Sequence, residues 1–92
     1  MNKQELIRAV AQSSDIPVKE AEKIVNRTFS IITDTLAEGE KVQIVGFGSF
    51  EVRDRSARTA RDPRTQEAVE VPATRVPVFK AGNSLKKAVA GE

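Results

Sequence analysis

A stretch of sixteen residues in the second half of the chain contains almost nothing that a protein could bury. From Arg53 to Ala68 the only aliphatic side chains are three alanines and one proline. Such a segment cannot bury enough apolar surface to offset the entropy that is lost when it becomes ordered. We therefore expect it to lie outside the hydrophobic core, where it either stays free in solvent or rests on a partner.

The positive charge of the chain is concentrated in the same stretch. Residues 1–50 carry six Lys and Arg against seven Asp and Glu, which gives a net charge of −1. Residues 51–92 carry nine against six, which gives a net charge of +3. Between Arg53 and Arg64 only Asp54 and Asp62 offset the five arginines, which are Arg53, Arg55, Arg58, Arg61 and Arg64. A localised basic stripe on a nearly neutral chain indicates an anionic partner.

The length and composition exclude several classes of protein. Ninety-two residues suit one domain, which we place at 1–92. The chain has no cysteine and no histidine, which excludes disulfide scaffolds, Cys/His zinc sites, thiol nucleophiles and histidine-based triads. No apolar run reaches membrane-spanning length, and the polar start lacks the apolar stretch of a secretory signal. The sequence predicts a cytoplasmic protein that is not an enzyme, with no catalytic residue, cofactor, metal or membrane partner.

The first 39 residues have the pattern of two packed helices. Asn2 is suited to cap the first helix, with Glu5 as its reciprocal partner, and the second helix is expected to begin at Pro17 and to end at Gly39. Apolar residues recur at helical spacing in both segments. In the first they are Leu6, Ile7, Val10 and Ala11, and in the second Val18, Ala21, Ile24, Val25, Phe29, Ile32 and Leu36.

The pattern changes from helical to strand-like at Lys41. Val42 and Ile44 alternate with polar residues, and the alternation resumes at Phe50 after Gly46-Phe47-Gly48. This predicts two antiparallel strands joined by a glycine-bracketed turn that sends Phe47 into the core. We interpret all four phenylalanines, Phe29, Phe47, Phe50 and Phe79, as core residues. A further strand carries Val69, Val71, Val76 and Val78, and Pro72 and Pro77 confine it to an edge or to bulges. A short helix is expected after Gly82.

Asp62-Pro63 at the middle of the basic stretch favours a type I turn. The stretch then folds into a ribbon of two strands of about 10 residues, roughly 30 Å long at about 3.3 Å per residue. Arg53, Arg55 and Arg61 share strand parity, and Arg58 does not. Spaced arginines suit phosphate and minor-groove contacts, and a proline at the tip suits a wedge between base pairs. The composition alone fits a disordered, solvated loop equally well.

The chain resembles the HU/integration host factor family of bacterial nucleoid proteins along essentially its whole length. The resemblance rests on Gly46-Phe47-Gly48, on the proline-tipped arm and on Phe79-Lys80-Ala81-Gly82, together with both leading helices. It implies an α+β fold and an intertwined dimer. The dimer has a helical base formed by residues 1–39, a three-stranded antiparallel sheet, a short C-terminal helix and an extended β-ribbon arm at 53–75. Dimerisation also has a physical motive, because the 76 residues outside the basic stretch form a small body that gains core by pairing.

The resemblance also implies a role for particular residues. The paired arms bind double-stranded DNA in the minor groove and bend it, and Pro63 intercalates. The DNA-binding residues carried over by position are Arg53, Arg55, Arg58, Arg61, Arg64 and Arg75 on the arm, and Lys3, Lys80, Gly82, Ser84 and Lys86 on the body. Three positions depart from the usual family pattern: Asp62 stands for an asparagine, Gln66 for a glycine and Asn83 for a lysine.

The prediction is a homodimer that binds duplex DNA largely without sequence specificity and compacts the nucleoid. Three alternatives stay open at this point. One is a sequence-specific bending protein like integration host factor, which often pairs with a paralogue. Another is a protein–protein adaptor whose arm docks on an acidic partner. RNA is also a possible ligand, because a charged ribbon does not by itself choose the sugar.

Overall fold

The computed structural model describes residues 1–91 and has the predicted α+β composition. The helices are α1 (Lys3–Ser14), α2 (Val18–Ala37) and α3 (Asn83–Ala90), and the strands are β1 (Val42–Ile44), β2 (Gly48–Arg55), β3 (Arg58–Arg61), β4 (Ala68–Val71) and β5 (Thr74–Ala81). The chain divides into two compact units, Met1–Thr35 and Leu36–Glu92. The first unit is helical, and the second contains every strand together with α3.

Helix α1 begins at the cap that the sequence predicts. The backbone N–H of Glu5 donates to Asn2 Oδ1 at 2.9 Å, which satisfies one of the free donors of the first turn. The reciprocal bond from the Asn2 N–H to the Glu5 carboxylate is not among the hydrogen bonds of residues 1–91. The helix ends at Asp15, which adopts a left-handed conformation with φ of 54°.

Helix α2 starts directly after Pro17, whose carbonyl accepts a hydrogen bond from the N–H of Ala21 at 3.1 Å. Beyond its last residue Gly39 has a φ of 85° and donates its N–H to the Leu36 carbonyl at 2.9 Å, so the predicted glycine cap is confirmed. The buried apolar side chains of the described chain are all in α1 and α2: Ile7, Ala11, Ala21 and Val25. Two of these four are alanines, which makes the core small.

The second unit is built on an antiparallel sheet with strand order β1-β2-β5. The predicted glycine turn joins β1 to β2, and Gly46 adopts a φ of 83° there. Gly48 is buried, and a Cβ at this position would lie 2.5 Å from the Lys80 carbonyl oxygen and 2.7 Å from the Phe79 ring. Glycine is therefore required at this point, because β2 and β5 approach each other closely beneath the aromatic ring.

The prediction that the four phenylalanines are core residues is wrong for a single chain. Phe29, Phe47 and Phe79 keep 47%, 44% and 41% of their surface exposed, and only Phe50 is half-buried. The Phe79 ring packs against Phe47 and Phe50 with centroids 5.4 Å and 4.9 Å apart. These rings cover one another on one side, and part of each remains exposed to solvent in the described chain.

The prediction of a ribbon with two strands of about 10 residues is also wrong, because both strands of the ribbon are interrupted. Strand β2 ends at Arg55 and β3 starts at Arg58, while β4 ends at Val71 and β5 starts at Thr74. The two interruptions lie opposite each other, because Arg55 pairs with Thr74 and Arg58 with Val71. Pro72, which cannot donate to a ladder, is in one of them. The outer ribbon is therefore a separate two-stranded sheet, β3-β4.

Candidate nucleic-acid interface

One face of the three-stranded sheet carries a row of basic side chains. Successive residues of a strand point to opposite faces, so Arg53 and Arg55 share a face of β2. The antiparallel register pairs Ser49 with Lys80 and therefore puts Lys80 on that same face. The opposite face carries the apolar residues Val42, Phe50 and Phe79, which lie in register across the three strands. The pleat of the sheet thus separates a basic face, which also carries Val76 and Val78, from an apolar face that carries the aromatic rings.

Glu51 lies within this basic face and is paired on both sides. Its carboxylate oxygens are 3.1 Å from Lys80 Nζ and 3.9 Å from Lys41 Nζ. The hydrogen bond from Lys80, reinforced by the charges of Lys80, Lys41 and Arg53, holds the pKa of the Glu51 carboxyl below its usual value, although partial desolvation acts in the opposite direction. Glu51 is therefore ionised at neutral pH and holds the two lysine side chains next to each other.

The outer ribbon presents arginines on both of its faces. Arg58 pairs with Val71 and Arg61 with Ala68, and because their positions differ in parity the two side chains lie on opposite faces of β3. Both arginines are exposed, as are Arg53 and Arg55 on the sheet. The ribbon can therefore contact an anionic surface on either side.

The turn at the tip of the ribbon is organised by Asp62. Its N–H donates to the Glu67 carbonyl at 2.9 Å, its carbonyl accepts from the Gln66 N–H at 2.7 Å, and its Oδ1 accepts from the Arg64 N–H at 2.8 Å. The closing bond reaches Gln66, one residue further than in the predicted type I turn. Pro63 lies exposed at the outer end of this turn. Three hydrogen bonds to one residue thus fix the backbone that presents Pro63.

The remaining predicted DNA-binding residues lie outside the ribbon. Gly82 precedes α3 and donates its N–H to the Phe47 carbonyl at 2.8 Å, which links the glycine turn to the start of that helix. Ser84 and Lys86 are exposed on α3, and Lys3 is the exposed first residue of α1 in the other unit. Arg75 is on β5 opposite Asp54, on the apolar face of the sheet and away from Arg53, Arg55 and Lys80.

Sequence reasoning missed Lys41 and Glu51. Lys41 precedes β1 and, through its contact with Glu51, belongs to the basic face. The signal was available in the alternation that starts at Lys41, because polar Lys41 and Gln43 alternate with apolar Val42 and Ile44. The alternation predicts on which face of the strand Lys41 lies. It does not predict that Glu51 and Lys80 lie next to Lys41, because that depends on how the strands pair.

Two other kinds of site are absent from residues 1–91. No group of three acidic or other metal-binding side chains among these residues is close enough to hold a metal ion. None of the helices that they form combines the length and the apolar character that crossing a bilayer requires.

Comparison with known proteins gives consistent matches over the whole chain. The family model described as "Bacterial DNA-binding protein" matches residues 1–90. The chain is 54% identical over 92 residues to DNA-binding protein HU 1 of Bacillus subtilis (strain 168), with all of both chains covered. It is 54% identical over 89 residues to DNA-binding protein HU of Geobacillus stearothermophilus, with 97% of this chain and 99% of the relative covered. Among solved structures, the Anabaena HU–DNA cocrystal structure superposes with a TM-score of 0.91 at 44% identity, again over all of both chains.

Proposed function

The chain belongs to the bacterial DNA-binding protein family, and we propose that it is a histone-like protein of the HU type that binds and bends duplex DNA. It acts as an architectural protein and not as an enzyme, and it associates with the bacterial nucleoid. The observation that carries this proposal is the row of exposed cations on one face of the sheet, which leads towards a ribbon with arginines on both faces and a proline at its tip.

The binding contribution of this surface is electrostatic. Arg53, Arg55, Arg58 and Arg61 are exposed and carry no salt bridge within the described chain. Arginine binds phosphate through two parallel hydrogen bonds and enters narrow minor grooves. Neither phosphates nor the minor groove give a full sequence code, so we propose binding that is largely independent of sequence.

Two copies of the chain supply two arms. The only buried apolar side chains of the described chain are four helical residues, which is a small core for a chain of this length. Each unit exposes aromatic or large aliphatic residues, Phe29 and Ile31 in one and Phe47 and Phe79 in the other. We propose that a second identical copy covers these residues, and that the resulting two-fold symmetry presents the arms as a pair.

Pro63 is proposed as the wedge that intercalates between base pairs. Unstacking a base step costs about a few kcal/mol, which is offset when the kinked duplex contacts more protein. The exposure of Pro63 and the three hydrogen bonds of Asp62 support this role. Replacement of Pro63 by alanine should reduce DNA bending more than DNA affinity, as measured by energy transfer between dyes on the two duplex ends. An unchanged transfer efficiency would refute intercalation.

Titration of a random-sequence duplex at several salt concentrations tests the function as a whole. Eight arginines in a dimer, four from each copy, would give a slope of log K against log salt of about −7 if each contacts one phosphate. Arg53→Gln should make this slope less steep. Arg8→Gln makes the same charge change at an exposed position of α1 and should leave the slope unchanged. A flat salt response would contradict the proposal. Duplex RNA as competitor, and a single strong site against bulk DNA, would measure the preference for sugar and for sequence.

A further inference from the structure

Arg75 makes a contact that no other arginine of the described chain makes. Its Nη2 donates a hydrogen bond to the backbone carbonyl of Ala37 at 3.0 Å. Ala37 is the last residue of α2 and belongs to the same unit as the sheet. The guanidinium also lies over Gly39, where a Cβ would come within 3.3 Å of Arg75 Nη1. The side chain therefore reaches from β5 to the C-terminal end of α2.

The end of α2 has a specific need for this contact. The last carbonyls of a helix lack partners inside the helix and form the negative end of its dipole. The last turn of α2 contains no basic residue. The Leu36 carbonyl is satisfied by the Gly39 N–H, and the Ala37 carbonyl is satisfied by Arg75. The sheet thus supplies the cation that the helix itself does not contain.

The strand register separates Arg75 from the basic face. Arg75 pairs with Asp54, and Thr74 pairs with Arg55. Since neighbouring residues of a strand point to opposite faces, Arg75 lies on the face of Phe79, while Arg53 and Arg55 lie on the other. A single guanidinium at this position cannot cap α2 and also extend the row of basic side chains.

Arg75 lies at the root of the arm. It is the second residue of β5, and the paired strands β2 and β5 end next to it, at Arg55 and Thr74. Beyond this point residues 56–57 and 72–73 are outside both sheets. A contact that fixes the second residue of β5 therefore holds the strand directly next to its last paired position before the interruption.

We propose that Arg75 is a positioning residue, which fastens the root of the arm to the C-terminal end of α2 and is not a phosphate ligand. This inference rests on the proposed function, because a DNA-bending readout is needed to see what the contact positions. It assigns to Arg75 a role different from the one that the family resemblance implies for an arm arginine.

The experiment compares Arg75→Gln, Arg75→Lys and Arg55→Gln in the full chain. Three quantities are measured: the thermal midpoint, the salt dependence of binding to a random-sequence duplex, and the end-to-end energy transfer of that duplex at saturating protein, well below the midpoint. Arg55→Gln is the matched control, since Arg55 pairs with the neighbouring Thr74 and carries the same charge on the opposite face.

The expected results differ for the two arginines. Arg75→Gln lowers the midpoint by about 5 °C, the size expected when a helix cap is removed, leaves the salt slope unchanged, and lowers the energy transfer at saturation because the arm root is no longer fixed. Arg75→Lys restores most of the midpoint and of the energy transfer, because its ammonium still donates to the Ala37 carbonyl. Arg55→Gln leaves the midpoint unchanged and makes the slope smaller by about 0.9 for each phosphate that the variant no longer neutralises.

Two results would overturn the inference. A salt slope for Arg75→Gln that falls as much as for Arg55→Gln would identify Arg75 as a phosphate ligand. A lower midpoint with unchanged energy transfer at saturation would make Arg75 a stabilising residue without a positioning role. If the wild-type protein binds no duplex, the proposed function fails with the positioning role. The cap is still tested separately by the midpoints and by the amide resonance of Gly39, which should shift in Arg75→Gln.

Discussion

Replacement of Gln66 by glycine should strengthen DNA binding by relieving backbone strain at the tip of the arm. Gln66 has a φ of 64°, a left-handed conformation that costs a residue with a Cβ roughly 1 kcal/mol relative to glycine. Its side chain returns little, because Gln66 Nε2 lies 3.5 Å from the Pro63 carbonyl, at the limit of a hydrogen bond. The strain opposes the turn that presents Pro63.

The strain translates into a population of ordered turns. About 1 kcal/mol changes the ratio of ordered to open turn roughly fivefold per arm, and a dimer that uses both arms gains up to about 25-fold in affinity. The gain is largest if the turn is mostly open in the free protein and vanishes if it is already formed. Fluorescence titration of one duplex at one salt concentration measures the affinity, and the amide shifts of residues 62–67 in the free protein measure the turn.

Two neighbouring variants separate backbone from side chain. Gln66→Ala keeps the left-handed strain and removes only the long hydrogen bond, so it should bind like the wild type. Thr65→Gly introduces glycine at a residue without positive φ and removes the hydroxyl that accepts from the Glu67 N–H at 3.3 Å, so it should weaken binding. The reasoning is refuted by the following combination of results. The amide shifts show an ordered turn in Gln66→Gly and an open turn in the wild type, and yet the variant binds DNA no more tightly than the wild type.

Three other changes test the fold that carries the arm. Asn2→Ala removes the cap of α1 and should lower the free energy of unfolding by about 1 kcal/mol in urea denaturation. Gly48→Ala should abolish the native sheet register, seen as loss of native amide dispersion, because its Cβ has no room beneath Phe79. Folding lowers the pKa of Glu51, so the ionised carboxylate stabilises the folded state at every pH above its ordinary pKa of 4.5. This contribution is lost as the pH falls through the folded-state pKa. The stability difference between wild type and Glu51→Gln should therefore shrink on acidification, and a constant difference would contradict the ion pairing with Lys80.

The features that the sequence predicted correctly are determined by neighbouring residues. Asn2 and Gly39 mark helix ends because their own conformations and hydrogen bonds decide where a helix stops. The change of period at Lys41 marks the first strand, because alternation is a property of the strand itself. The position of Pro63 at the tip follows from Asp62 in the same way. None of these inferences needs a contact between distant parts of the chain.

The features that the sequence did not predict depend on pairing between distant residues. The interruption of the ribbon at residues 56–57 could not be predicted without knowing that residues 72–73 lie opposite it. The contact between Arg75 and Ala37 spans 38 residues, and the face of Arg75 follows from its pairing with Asp54. The exposure of the phenylalanines was missed for a different reason. Hydrophobicity indicates that a ring will be covered, and not whether the same chain or a second copy covers it.

The register between β2 and β5 connects the fold to the proposed function. A slip of one residue would exchange the two faces of a strand, which would turn Arg53 and Arg55 towards the aromatic rings and Phe50 towards the basic face. Gly48 opposes such a slip because it alone of the β2 residues has no side chain to hold beneath Phe79. Gly48 is therefore required for the basic face to form, although it is not part of the arm. Replacement of Gly48 should weaken DNA binding because it disrupts the sheet, and not because it removes a phosphate contact.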